Sequence, residues 1–187
     1  MIAAFKPNLV LHFSKSCMNV LSLFKSIKAF AFDVDGVLTD GTLFLMPDGE
    51  MVRRMNIKDG YALQLAVKKG YQVIIISGGK SDLVQERLEK LGITHVHMQV
   101  HDKAALLQQF MHRHQLTKDQ VLFMGDDMPD LEVMALSGLP CCPADACTEI
   151  KEMSHYISTQ KGGEGAARDV IEKVLKLNND WHHSNTV

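Results

Sequence analysis

The chain reads as an α/β protein: a doubly wound, mostly parallel, Rossmann-like sheet with helices on both faces and a β-hairpin inserted after the first strand. Three observations predict this. Short β-branched or aromatic runs alternate with longer amphipathic stretches, Gly marks most of the junctions, and a Pro-Asp-Gly turn divides two strand-like runs at only one place. Repeated strand–loop–helix units point to parallel pairing, because parallel neighbours need a crossover that a helix supplies.

The first strand is the apolar run Phe30-Ala31-Phe32, which passes into Asp33-Val34-Asp35-Gly36 and continues to Asp40-Gly41. Side chains alternate along a strand, so Asp33 and Asp35 point the same way and Val34 turns back to the core. Runs 42–45 and 51–56 flank Pro47-Asp48-Gly49, a strong hairpin turn. After Asp59-Gly60, Tyr61 and Leu65 and then Ala62 and Ala66 recur at helical spacing, and Gly70 supplies the stop. Residues 72–76 form a β-branched strand that ends in Ser77-Gly78-Gly79. Val84, Leu88 and Leu91 predict a helix closed by Gly92, and 95–100 predicts a short strand.

Residues 103–114 are helical, with Ala104, Leu107 and Met111 on one face. Thr117 and Gln120 have capping-box spacing, but the strand at 121–124 leaves room for one turn only. Gly125-Asp126-Asp127 ends that strand. Pro129 suits the first turn of the next helix, with Leu131, Met134 and Ala135 inward and Gly138 as the stop. Segments 139–142 and 155–157 are expected as short edge strands, and 161–165 as a mobile Gly-rich loop before a last helix at 166–177.

At 187 residues one domain is expected, with a core that needs no disulfides. We place it at 27–177, between a frayed extension at 1–26 and a polar tail at 178–187. An amphipathic segment within 14–25 is the alternative for part of the extension. Residues 1–28 carry Lys6, His12, Lys15, Lys25 and Lys28 and no acid, yet their apolar positions are too interrupted for a secretory or membrane segment. A cytoplasmic chain that engages neither membrane nor nucleic acid is expected, since the net charge is only −2 and the pI about 6.5. Cys17, Cys141, Cys142 and Cys147 show no CxxC and no zinc-ligand spacing, and read as small core residues.

The chemistry lies in what the strand ends carry. They place Asp33 and Asp35, Ser77-Gly78, Lys103, and Asp126-Asp127 with Asp130 along one edge of a parallel sheet, where such sheets bind ligands. Crowded carboxylates raise one another's pKa unless a cation holds them, and hard oxygen donors without nearby Cys or His select Mg²⁺. Ser77, the amides after it and Lys103 suit a phosphoryl group. Each residue also has an ordinary reading: Lys103 as a first-turn helix residue, Asp102 as that helix's cap, Asp130 as a solvated helix residue, Ser77-Gly78 as a turn. His97, His101, His112 and His114 read as surface residues, and His182-His183 as tail composition.

Taken together, Asp33-Val34-Asp35-Gly36-Val37, Ser77, Lys103 and Gly125-Asp126-Asp127-x-x-Asp130 resemble the four motifs of the haloacid dehalogenase superfamily. The resemblance implies that Asp33 attacks phosphorus and Asp35 acts as acid and base. It gives Asp33, the backbone carbonyl of Asp35 and Asp126 to Mg²⁺, Ser77, Gly78 and Lys103 to the phosphoryl group, and Asp127 and Asp130 to orienting roles. Adding Asn56-Ile57-Lys58-Asp59-Gly60-Tyr61 and Lys161-Gly162-Gly163-x-Gly165-x-x-Arg168, residues 27–177 look like the capless family of 3-deoxy-D-manno-octulosonate 8-phosphate phosphatases of lipopolysaccharide synthesis. That likeness implies a homotetramer with the hairpin at its centre and a neighbouring subunit closing the site. It implies substrate contacts at Asn56, Lys58, Asp59, Gly60, Lys80 and Arg87. One departure stands out. The family often has Arg after the second-motif Gly, where this chain has Gly79-Lys80, and Lys lacks the bidentate fork that Arg offers a carboxylate. Alternatives are another sugar phosphate, such as a nine-carbon sialic-acid-type 9-phosphate, or a non-catalytic oligomeric binding module.

Overall fold

A computed structural model describes residues 19–182. Six parallel strands stand in the order β5 (His95–His97), β4 (Gln72–Ile76), β1 (Ala29–Phe32), β6 (Val121–Met124), β7 (Leu139–Cys142) and β8 (Tyr156–Ile157). The first strand is central because its Ala-Phe-Ala-Phe sequence offers apolar side chains to both faces. Phe30 and Phe32 pack on one side with helices α1 (Val20–Ser26), α2 (Ile57–Lys68), α3 (Asp82–Glu89) and α7 (Ala166–Leu177). Ala29 and Ala31 face α4 (Lys103–Arg113), α5 (Leu131–Met134) and α6 (Thr148–Met153) on the other. Small residues on that face let the second helical layer approach closely.

Segment ends follow local chemistry. Asn56, Ser81 and Asp102 each cap the helix that follows, accepting from the N–H of Lys58, Val84 and Ala105 at 2.8, 3.3 and 2.8 Å. Thr117 N–H donates to Gln120 Oε1 at 3.1 Å across the single turn before β6. The hairpin forms, but its strands are shorter than expected: β2 is Phe44–Leu45 and β3 is Met51–Val52, outside the main sheet. A bridge from Thr39 to Met55 closes its root.

The structure departs from the expectations in four places. Residues 19–26 are not frayed, since Phe24 of α1 is fully buried with its ring edge-on to Tyr156 at 5.1 Å. The rest of the expected extension, including Cys17, lies outside the described residues. β7 is an interior strand, buried along its whole length; its Pro140 still accepts from His155 N–H through the carbonyl. The tail docks at least as far as Asp180 and Trp181: Asp180 accepts from the Tyr71 hydroxyl at 2.8 Å, and Trp181 sits edge-on to Tyr61 beneath the Arg168 guanidinium. Tail residues 183–187 lie outside the described residues.

The fourth departure bears on the site. Loop 161–165 is pinned rather than mobile: Gly163 N–H donates to Val37 O at 3.0 Å, and Gly162 N–H donates to Asp145 Oδ1 at 3.0 Å. A Cβ on Gly162 would stand 1.9 Å from Gly36 O, so the loop packs backbone to backbone on the turn after β1. Only glycine permits that approach.

Candidate active site

At the C-terminal ends of β1, β4 and β6 lies a cleft of about 390 Å³ lined by Asp33, Asp35, Ser77, Lys103, Asp126 and Asp130, among others. A larger cavity, about 730 Å³, opens at the opposite ends of the strands around Lys25, Lys28 and Lys69. It gathers no comparable set of carboxylates. Chemistry, not size, identifies the site.

Each catalytic candidate is held by the end of its strand. Asp33 N–H still joins the sheet, donating to Met124 O at 3.1 Å, so its side chain leaves the last rung of β1. The chain then turns at once: N–H groups of Val37, Leu38 and Thr39 all donate to Val34 O, and the Thr39 hydroxyl donates to the same carbonyl at 3.2 Å. That turn brings Asp35 into the same cleft as Asp33, while Val34 is fully buried. Gly36 sits at φ +79, and a Cβ there would fall 1.9 Å from Asp126 Oδ2. Glycine at this position is what leaves room for Asp126.

Lys103 opens α4 and is 8 % exposed. Its ammonium bonds Asp130 Oδ1 at 2.7 Å and Asp33 Oδ2 at 3.0 Å. The other oxygen of Asp130 accepts from Asp126 N–H at 3.1 Å, so Asp130 ties the lysine to the end of β6. This buried, two-sided bond removes the solvated-helix reading of Asp130. Ser77 is buried, and its hydroxyl accepts from Gly79 N–H at 3.1 Å, shaping the loop after β4. Asp127 is exposed at the rim and accepts from Met128 N–H. His101 also lines the cleft, a position its surface-like sequence context did not signal.

Charge is unbalanced here. Burial, then the nearby Asp130 charge, pushes Asp33 up to about 7 despite the opposing pull of Lys103. Burial also lifts Asp126 to about 7, with Asp33, Asp130 and Asp127 adding repulsion. Burial works against the Lys103 ammonium, but Asp33 and Asp130 outweigh it and hold its pKa above the ordinary value. One lysine thus faces three carboxylates. Ligand oxygens of Asp33, Asp126 and Asp130 lie within 4.8 Å of one another. Such a set, all oxygen and short of positive charge, fits a hard divalent cation. The Asp35 carboxylate is not among those oxygens and is paired with Arg53, while the donor expected from Asp35 is its backbone carbonyl.

The residues expected to contact substrate lie elsewhere. None of Asn56, Lys58, Asp59, Gly60, Lys80 and Arg87 lines the cleft of this chain. Asn56 caps α2. Asp59, 2 % exposed, accepts from Arg168 N–H at 2.7 Å and so caps α7, whose own N-cap, Gly165, has no side chain to do it. Gly60 packs beneath the Arg87 guanidinium. Lys80 contributes its carbonyl to Arg53. Arg53 is the residue sequence reasoning missed. The signal was available: a hairpin must return to its root, which places the basic pair Arg53-Arg54 beside the turn after β1. Arg54 pairs with Asp40 at 2.7 Å, on the outer side.

Comparison with known proteins agrees with this geometry. A haloacid dehalogenase-like hydrolase profile matches residues 96–169, the stretch that holds Lys103 and Asp126. The 3-deoxy-D-manno-octulosonate 8-phosphate phosphatase KdsC of Yersinia pestis is 34% identical over 157 residues, 84% of each chain. A probable YrbI family phosphatase from Pseudomonas syringae superposes with a TM-score of 0.83 at 38% identity, covering 87% of this chain and 92% of that one. The Moraxella catarrhalis 3-deoxy-D-manno-octulosonate 8-phosphate phosphatase, in complex with magnesium, phosphate and KDO, has a TM-score of 0.83 at 33% identity, covering 87% and 93%. With a third of its residues shared across most of both chains, and the acid–lysine cluster in place, this chain belongs to the KdsC phosphatase family of haloacid dehalogenase-like hydrolases.

Proposed function

We propose that the enzyme is a magnesium-dependent phosphatase that cleaves 3-deoxy-D-manno-octulosonate 8-phosphate to the free sugar acid and phosphate in lipopolysaccharide biosynthesis. The observation that carries this reading is the buried Asp33 held by Lys103 at 3.0 Å beside Asp126 and Asp130, in a chain with KdsC relatives. The magnesium and KDO bound to the Moraxella catarrhalis relative support the choice of metal and sugar acid.

In the first half-reaction an Asp33 oxygen bonds to phosphorus as the bond to the sugar oxygen breaks, and Asp35 gives its proton to that leaving oxygen. In the second, Asp35 takes a proton from the water that attacks phosphorus, the bond to Asp33 breaks, and phosphate departs. Lys103 and Ser77 bind the non-bridging oxygens throughout. Asp33, the backbone carbonyl of Asp35 and Asp126, with Asp130 adjoining, would hold the magnesium ion, which neutralises phosphoryl charge when bound. Asp33→Asn is expected to abolish turnover while leaving the circular dichroism spectrum and melting temperature near wild type. Substantial residual turnover sinks the nucleophile assignment. A panel of sugar phosphates compared by kcat/KM tests the substrate, and a clear preference for a nine-carbon 9-phosphate would replace the octulosonate.

The same reading assigns the hairpin to a homotetramer. Leu43, Phe44, Leu45, Met46 and Met51 are 41 to 76% exposed, an apolar patch that a monomer would leave in water. Asn56, Lys58 and Arg87, outside this chain's cleft, are then offered to substrate from a neighbouring subunit. Light scattering should give a tetramer for wild type and smaller species for Phe44→Ser with Leu45→Ser. A wild-type monomer rules the assembly out.

A further inference from the structure

Arg53 follows β3 at the root of the hairpin, and only 3% of its side chain is exposed. Its guanidinium joins three separate segments. Nε donates to Asp35 Oδ1 at 2.6 Å and Nη2 donates to Asp35 Oδ2 at 3.1 Å. Nη1 donates to Met51 O at 3.0 Å and to Lys80 O at 3.3 Å. The first two bonds form a fork on one carboxylate, a pairing that fixes orientation as well as distance. The last two fix the arginine itself to the hairpin and to the loop after Ser77. Gly79 leaves the space: a Cβ there would meet Arg53 Nη2 at 3.0 Å and Asp35 Oδ2 at 2.8 Å.

We propose that Arg53 is the positioning residue for Asp35, holding the carboxyl that moves the proton and linking its orientation to the root of the hairpin. The proposal rests on the acid–base reading of Asp35 given above. A carboxylate oxygen accepts at about two sites, so one Arg53 bond to each oxygen leaves each a site for the proton. The proton passes from Asp35 to the leaving oxygen as the P–O bond breaks and the Asp33–phosphorus bond forms; it returns to Asp35 from water in the second half-reaction. Arg53 gains and loses none. Its work is to prevent rotation of a carboxyl that is 37% exposed and has no other side-chain partner among the described residues. A lost alignment of this kind acts on the reacting geometry rather than on substrate binding.

The test compares leaving groups on the full-length, magnesium-loaded enzyme. The octulosonate 8-phosphate and a pentose 5-phosphate both need a proton on the departing alkoxide. p-Nitrophenyl phosphate does not. For Arg53→Ala, kcat/KM, which reports the steps through phosphoryl transfer, is expected to fall about a hundredfold on both sugar esters and less than about tenfold on the nitrophenyl ester. The KM for the sugar esters should stay close to wild type, and Arg53→Lys, charged but without the fork, should recover part of the loss. Equal losses on all three substrates would mean a merely structural role and overturn the proposal. A rise in KM confined to the octulosonate would assign Arg53 to the substrate carboxylate and overturn it as well. Asp35→Asn is the control: if it keeps wild-type rates on the sugar esters, the acid–base reading itself fails, whatever Arg53 does. Should Arg53→Ala not fold, Arg53→Lys decides, and wild-type kcat/KM on the sugar esters in that variant refutes the proposal.

Discussion

Replacing Lys103 by Met would expose how the cleft balances its charges. The ammonium lies 2.7 Å from Asp130 Oδ1 and 3.0 Å from Asp33 Oδ2. At an effective dielectric near 20, each contact is worth on the order of 5 kcal/mol before desolvation. Burying the lysine returns several of these, so the net loss expected is about 3 kcal/mol, within the range for a buried pair stripped of one partner. The loss should depend on pH. Asp33 is already lifted to about 7 with Lys103 present, and without the lysine it rises further. At pH 5.5 Asp33 is therefore mostly neutral in both proteins, and only the Asp130 contact is lost. At pH 8 the variant either keeps two carboxylates facing each other or holds a proton on Asp33 that the unfolded chain releases, and both cost stability. Urea unfolding in EDTA, followed by the single tryptophan, Trp181, at one fixed protein concentration, measures both cases. With a slope of about 2 kcal/mol per molar, the midpoint should fall by roughly 1.5 M at pH 8 and by clearly less at pH 5.5. An unchanged midpoint at pH 8, or equal shifts at the two pH values, would refute the reasoning.

Three further outcomes are expected. Asp33 and Asp126 are raised from 3.8 to about 7, so the folded protein keeps protons that the unfolded chain releases between those values. Metal-free stability should therefore fall as pH rises through 7, and the gain in melting temperature from millimolar Mg²⁺ should be larger at pH 8 than at pH 5.5; a gain independent of pH would show that the ion binds elsewhere. Gly162→Ala forces a methyl to 1.9 Å from Gly36 O and should cost about 1–3 kcal/mol, with a loss of activity as the turn beneath Asp126 shifts; a wild-type melting curve would mean the loop moves aside freely. Asp59→Ala removes the cap on α7 and should cost about 1–2 kcal/mol by urea unfolding, while the KM of the surviving enzyme stays near wild type; a raised KM with unchanged stability would restore the residue to substrate binding.

Much of the site was legible because its parts are local. Asp33, Ser77 and Asp126 each follow a buried run that announces its own end with glycine, and Lys103 follows a cap, Asp102, visible as such. Strand alternation correctly turned Val34 inward. What misled was context. The Gly-rich composition of 161–165 suggested mobility, but those glycines serve close packing on the turn at Gly36. Asp59 reads only as part of a substrate motif, and nothing near it in sequence signals that one of its oxygens accepts a backbone N–H from another helix. Gly79-Lys80 looked like a missing arginine, and the structure sets Arg53 beside it from the hairpin.

By itself, then, the sequence determined the alternation of strands and helices, the hairpin, and four strand-end groups whose chemistry suits phosphoryl transfer. These follow from periodicity and turn chemistry, which act over a few residues. Tertiary structure decided which groups share a bond. Arg53 meets Asp35 across 18 residues, Lys103 meets Asp130 across 27, and Arg168 meets Asp59 across 109. None of those contacts is one that a helix or strand makes within itself, where facing side chains stand two to four residues apart. They arise where separate backbone segments come together, the first two at the C-terminal edge of the sheet and the third between the first turns of α2 and α7.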